Sequence, residues 1–195
     1  MPPLYQHDPF LFVQHLLWCD SAFTDVVWMG ATVACEGWAV TLIALLFVYW
    51  RTRRLRGLVR ATLPFFAALL LAGLFAQVLK EVVRTPRPLS VLDPGTVHVL
   101  LDPLRGTRSF PSGHSASAGA LATYGLLRYR CSAWPLLLLA VLGGLSRIMV
   151  GAHWTVDVLG GLALGAFAAA IVWLVEGHLS RRVSAPRPPG PVQAA

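Results

Sequence analysis

Five apolar stretches, Val40–Trp50, Ala61–Leu79, Ala116–Leu127, Trp134–Leu145 and Val156–Val175, recur along 195 residues. Extended by their flanks, they approach the length a helix needs to cross a hydrocarbon core of about 30 Å. A backbone in lipid must satisfy its own hydrogen bonds, which leaves helices as the solution for such runs. The expectation is an all-α, polytopic membrane bundle of about five to six helices. At 56% hydrophobic, 13% charged and a mean hydropathy of +0.63, the chain is too apolar for a soluble domain.

The net charge of +7 is less informative than where it lies. Five arginines fall in 51–60, two are Arg128 and Arg130, and three are Arg181, Arg182 and Arg187. With five crossings these three segments share one side, which the positive-inside rule makes cytoplasmic, and no nucleic-acid partner is needed to explain them. The remaining cations, Lys80, Arg84, Arg87, Arg105, Arg108 and Arg147, fall on the opposite side, where a specific task must hold them. The first positive residue is Arg51, so no basic region of a signal peptide is expected at the start. Cys19, Cys35 and Cys131 lack metal-ligand spacing and read as ordinary small apolar residues. No metal and no cofactor is expected.

Three regions follow: an N-terminal interfacial segment 1–25, a membrane domain 26–178 and a disordered cytoplasmic tail 179–195, rich in proline at its end. Phe10–Cys19 is too short to span and is placed as an interfacial helix on the outer face. Around Glu36 two alternatives stand: one tilted span Val26–Trp50 with the carboxylate inside, or a surface piece Ala22–Cys35 followed by a helix entering at Gly37. The cost of a carboxylate in hydrocarbon favours the second, with Glu36 an interfacial residue outside the chemistry. Pro64 is placed in the first turn of the span Ala61–Val83, where its missing N–H does no harm. Leu89–Phe110 has no sustained period and reads as a long functional loop. The spacing Gly161-x-x-x-Gly165 suits close helix packing within one subunit ahead of dimerisation, and the oligomeric state stays open.

Three polar clusters sit at the outer ends of the spans. They are Lys80 with Arg87-Pro88, Pro111-Ser112-Gly113-His114, and Ser146-Arg147 with His153 and Asp157. Singly, each is a snorkelling anchor, a turn or a helical-face pair; converging, they fit a phosphate ester. Phosphoryl transfer spreads negative charge over three oxygens and asks for fixed cations and donors. Lys80, the one lysine of the chain, offers a point charge, and Arg87 and Arg147 offer planar forks. Ser112 and Gly113 stand at a helix start whose free N–H groups face an anion. His153 and Asp157, four apart, share a helical face; the carboxylate orients the ring and leaves a neutral nucleophile. His114, from another helix, is the candidate acid for the leaving oxygen.

At Lys80-x6-Arg87-Pro88, Pro111-Ser112-Gly113-His114 and Ser146-Arg147-x5-His153-x3-Asp157 the chain resembles the phosphatidic acid phosphatase type 2 superfamily, whose site is shared with vanadium haloperoxidases. The likeness covers Ala61 to about Val175. It implies a membrane lipid phosphatase that needs no metal. In it His153 forms a phosphohistidine, Asp157 orients it and His114 protonates the leaving group, while Lys80, Arg87, Ser112, Gly113 and Arg147 hold the phosphate. The implied partners are the bilayer and a lipid phosphate: undecaprenyl diphosphate first, with phosphatidic acid or phosphatidylglycerophosphate as alternatives. The implied place is a bacterial inner membrane, with the site facing the periplasm or cell exterior and the C-terminus in the cytoplasm. A lipid phosphotransferase would use the same site. A non-catalytic protein that binds or moves anionic lipid would need only the cations, and the intact His114, His153 and Asp157 argue against it.

Overall fold

The computed structural model describes residues 6–53, 55–100 and 105–183. Among them the chain forms α1 (Phe10–Leu17), α2 (Ala22–Ala34), α3 (Gly37–Thr52), α4 (Leu58–Val83), α5 (Gly113–Tyr129), α6 (Trp134–Met149) and α7 (Thr155–Val183). Short 3-10 turns occupy Pro88–Ser90, Pro94–Thr96 and Arg130–Ala133.

The packing is that of a bilayer protein, small residues inside and large ones outside. Ala116, Ala118, Ala120 and Ala122 of α5 are buried, while Leu70 and Leu74 of α4 and Phe167 and Leu174 of α7 are more than half exposed. Lipid solvates such a surface, and close backbone approach supplies the cohesion. The α5–α7 crossing shows how close. A Cβ on Gly165 would lie 2.1 Å from the Ala116 carbonyl oxygen, and one on Gly161 would lie 2.4 Å from that of Ser112. The glycine pair therefore serves a contact within one chain.

Three stretches are long and apolar enough to cross a membrane: Leu58–Ser90, Gly113–Met149 and Thr155–Arg181. The pair α2 and α3, bent by 79°, makes up to a fourth. Counted this way the described residues give three or four crossings against the five expected, because α5 and α6 join into one stretch. Gly113–Met149 is a hairpin of α5 and α6 broken at Arg130–Ala133, with arms of 17 and 16 residues, each about 25 Å long at 1.5 Å per residue. The bend at Cys35–Glu36 agrees with a helix that starts afresh at Gly37.

Several boundaries move. α4 begins at Leu58, so Pro64 lies inside the helix instead of in its first turn; within a membrane bundle neighbouring groups satisfy the backbone freed by such a proline. α7 runs to Val183, so 179–183, expected in the disordered tail, are helical, and 184–195 lie outside the described residues. Cys35 is buried as expected, but Cys19 and Cys131 are exposed. α1 is tied to the bundle: Phe10 packs edge-on against Trp154 with ring centroids 5.5 Å apart. Buried Gln14 donates to the carbonyls of His98 and Ile148 and accepts from the His98 N–H.

Candidate active site

Four helix ends meet at one end of the bundle. Lys80 lies in the last turn of α4. Arg84 closes that helix in the left-handed region at φ 45, and the prolines that follow hold the chain extended. Arg87 comes next and donates through Nη1 to the Ala152 carbonyl at 2.9 Å, which fixes its fork near the α6–α7 turn. Ser112 caps α5, its Oγ accepting from the Ser115 N–H at 3.4 Å and from the Ser115 hydroxyl at 3.0 Å. His114 is therefore the second residue of α5, beside the unpaired N–H groups of a helix start. Arg147 ends α6, 4% exposed, with its Nε buried and without a hydrogen-bond partner among the described residues.

His153 does not share a helical face with Asp157. α7 starts only at Thr155, and His153 lies in the turn before it, its N–H donating to the Arg147 carbonyl at 3.2 Å. Gly151 at φ +74 allows that turn. The pairing survives: His153 Nδ1 lies 3.4 Å from Asp157 Oδ2. Asp157, fully buried, also accepts from the Trp154 N–H at 3.0 Å and from the Ser109 hydroxyl at 2.5 Å. Burial lowers His153 from the ordinary histidine range to about 4, against the opposing hydrogen bond to Asp157, so the ring is neutral at pH 7.

Lys80, Arg87, His114, Arg147 and His153 line one cavity of about 390 Å³, together with Met29, Thr32, Val33 and Glu36. A second recess of about 260 Å³ shares Glu36, Lys80 and His114 with it and reaches Gly113, Gly37 and Gly73. Gly113 lies beside Lys80, whose Nζ would make an ordinary contact of 3.8 Å with a Cβ there. Ser112 is fully buried behind the cavity and is not among its lining residues; its N–H holds the Asp157 carbonyl at 3.0 Å. Hollows of about 450 and 480 Å³ elsewhere are lined mainly by apolar side chains and offer phosphate no cation.

Sequence reasoning missed four supporting groups, each joined to the site across a long stretch of chain. Ser109 holds Asp157, and Thr32 donates to the Ser146 hydroxyl at 2.9 Å. Asp8 accepts from the N–H groups of Thr155 and Val156 at the start of α7. Glu36 Oε1 lies 3.0 Å from His114 Nε2, against the expectation that it stands apart from the site. Only Ser109 had a signal, its position next to Phe110–His114.

Cations, a neutral imidazole and a second histidine around one cavity, at the end of a multi-pass membrane bundle, are the equipment of a membrane phosphatase. The comparisons give the family. The PAP2 superfamily profile matches residues 61–181, and the chain belongs to that superfamily; it is an integral membrane lipid phosphatase. It is 35% identical to the undecaprenyl-diphosphatase BcrC of Bacillus subtilis over 145 residues, 74% of this chain and 70% of that protein. With the lipid A 1-phosphatase of Rhizobium johnstonii it shares 37% identity over 116 residues, 56% of this chain and 46% of the relative. The crystal structure of Aquifex aeolicus LpxE superposes with a TM-score of 0.68 at 27% identity, covering 85% of this chain and 92% of the other.

Proposed function

We propose that the chain hydrolyses a lipid diphosphate or phosphomonoester through a phosphohistidine on His153. The observation that carries this is the buried His153, backed by Asp157 and lining a cavity shared with Lys80, Arg87, Arg147 and His114. Asp157 takes the Nδ1 proton as a hydrogen bond, which leaves Nε2 with a free lone pair. As the N–P bond forms, the bond from phosphorus to the leaving oxygen breaks, the ester oxygen of a phosphomonoester or the bridging oxygen of a diphosphate, and that oxygen receives a proton from His114. Water then attacks the phosphohistidine, giving its proton to His114, and inorganic phosphate leaves. Lys80 and the forks of Arg87 and Arg147 hold the equatorial oxygens throughout. Gly113 and the α5 start present backbone N–H groups, and Ser112 serves by capping that helix.

Undecaprenyl diphosphate is the favoured substrate, with phosphatidic acid and phosphatidylglycerophosphate as alternatives; the likeness to the Bacillus subtilis diphosphatase supports that order. The site faces the periplasm or cell exterior of a bacterial inner membrane, and the C-terminus is cytoplasmic, as the arginines of 51–60 and of 181–187 suggest. Purified protein in detergent with EDTA, offered these lipids, is expected to release inorganic phosphate, fastest from undecaprenyl diphosphate. Release from none of them would sink the proposal, and transfer of the phosphoryl group to a second lipid would redefine it as phosphotransfer. A cysteine at Thr107 should react with an impermeant thiol reagent on intact cells; labelling only after lysis would reverse the orientation.

A further inference from the structure

The α2–α3 bend places an acidic side chain where the family motifs place none. Glu36 occupies the N-cap position of α3, at φ −64 and ψ 147, yet its side chain makes no capping bond to that helix. It reaches across to α5 instead, and Oε1 comes within 3.0 Å of His114 Nε2. Among the lining residues of the 390 Å³ cavity Glu36 is the only carboxylate. Lys80 from α4, Arg87 after it, Arg147 from α6 and His153 line the same cavity as His114. A carboxylate among these cations is a poor neighbour for a phosphate, so its presence there asks for a use. An imidazole that must carry a proton beside three cations is opposed by like charge unless a counter-ion stands next to it.

We infer that Glu36 is a positioning residue: through its bond to Nε2 it holds the His114 ring in place and supplies the counter-ion for the protonated state that delivers a proton to the leaving lipid oxygen. This rests on the phosphatase reading above. Held through Nε2, the ring keeps Nδ1 as its other proton-bearing position. After transfer the neutral ring, still held by Glu36, is in place to take the proton of the attacking water. Glu36 also lines both the cavity and the adjoining recess, as Lys80 and His114 do.

The test compares two substrates with the same phosphoryl group. Short-chain phosphatidic acid expels an alkoxide that needs a proton, whereas p-nitrophenyl phosphate expels a phenolate that does not. kcat/KM reports the steps up to the phosphohistidine and is measured for wild type, Glu36→Gln and Glu36→Asp. For Glu36→Gln the expected result is a loss of about tenfold or more on phosphatidic acid and little change on p-nitrophenyl phosphate, with partial recovery in Glu36→Asp. Equal losses on both substrates would mean a merely structural contact and overturn the inference, as would no loss on either. Silence of the wild-type protein on both substrates and on undecaprenyl diphosphate would remove the phosphatase reading, and this inference with it.

Discussion

Two histidines in this protein each stand beside a carboxylate, and the two pairs differ in almost everything else. His153 and Asp157 are four residues apart, with side chains 3% and 0% exposed. His114 and Glu36 are 78 residues apart, with side chains 24% and 47% exposed. A dry pair, its carboxylate held by Ser109 and the Trp154 N–H, keeps the imidazole neutral and aimed. A half-open pair next to a helix start can exchange a proton with whatever enters. In the proposed mechanism one residue type thus takes opposite tasks from its surroundings.

The difference predicts unequal responses to truncation. His153→Ala should abolish turnover of every substrate, a loss of roughly 10⁴-fold or more. His114→Ala should cost roughly 10²–10⁴-fold in kcat/KM on a lipid phosphate and far less on p-nitrophenyl phosphate. Equal losses for the two variants on both substrates would erase the division of labour. A smaller effect probes the dry pair: Ser109→Ala removes one bond to Asp157, and kcat should fall about tenfold with folding retained. An unchanged kcat would show that the remaining contacts suffice to orient the carboxylate.

The smallest effect concerns charge. Free histidine titrates near 6.5, and His153 is lowered to about 4 by burial. Between those values the unfolded chain binds a proton at this position and the folded chain does not. The stability it contributes is therefore present above about 6.5 and is lost as pH falls toward about 4. An NMR titration, with the His153 signal assigned by its loss in His153→Ala, should show a neutral ring down to about pH 4. A midpoint near 6.5 would mean that water reaches the pair.

The same contrast explains what the sequence made legible. His153 and Asp157, Lys80 and Arg87, and Ser112 to His114 lie close together in the chain, so their spacing carries chemical meaning before any fold is known. The apolar runs likewise announced the α4 and α7 spans and the inward small residues of α5. Glu36, Asp8, Ser109 and Thr32 act across distances of 48 to 147 residues, and nothing local marks them apart from the place of Ser109 beside Phe110–His114. The cost of a charge in hydrocarbon argues for leaving Glu36 outside the chemistry; the bend at Cys35–Glu36 removes that cost by putting it in a polar cavity. The four-residue spacing of His153 and Asp157 suggests a shared helical face, whereas Gly151 and the bond to the Arg147 carbonyl hold His153 in a turn.

The central claim is that the buried histidine, and not the half-open one, carries the phosphoryl group. Rapid mixing with ³²P-labelled short-chain phosphatidic acid, an alkaline quench that preserves phosphohistidine, and peptide mapping would locate the label. The account predicts ³²P on His153 in the wild type, a larger yield in His114→Ala when p-nitrophenyl [³²P]phosphate is the donor, and none in His153→Ala. Label on His114, or turnover with no labelled histidine at any mixing time, would contradict it.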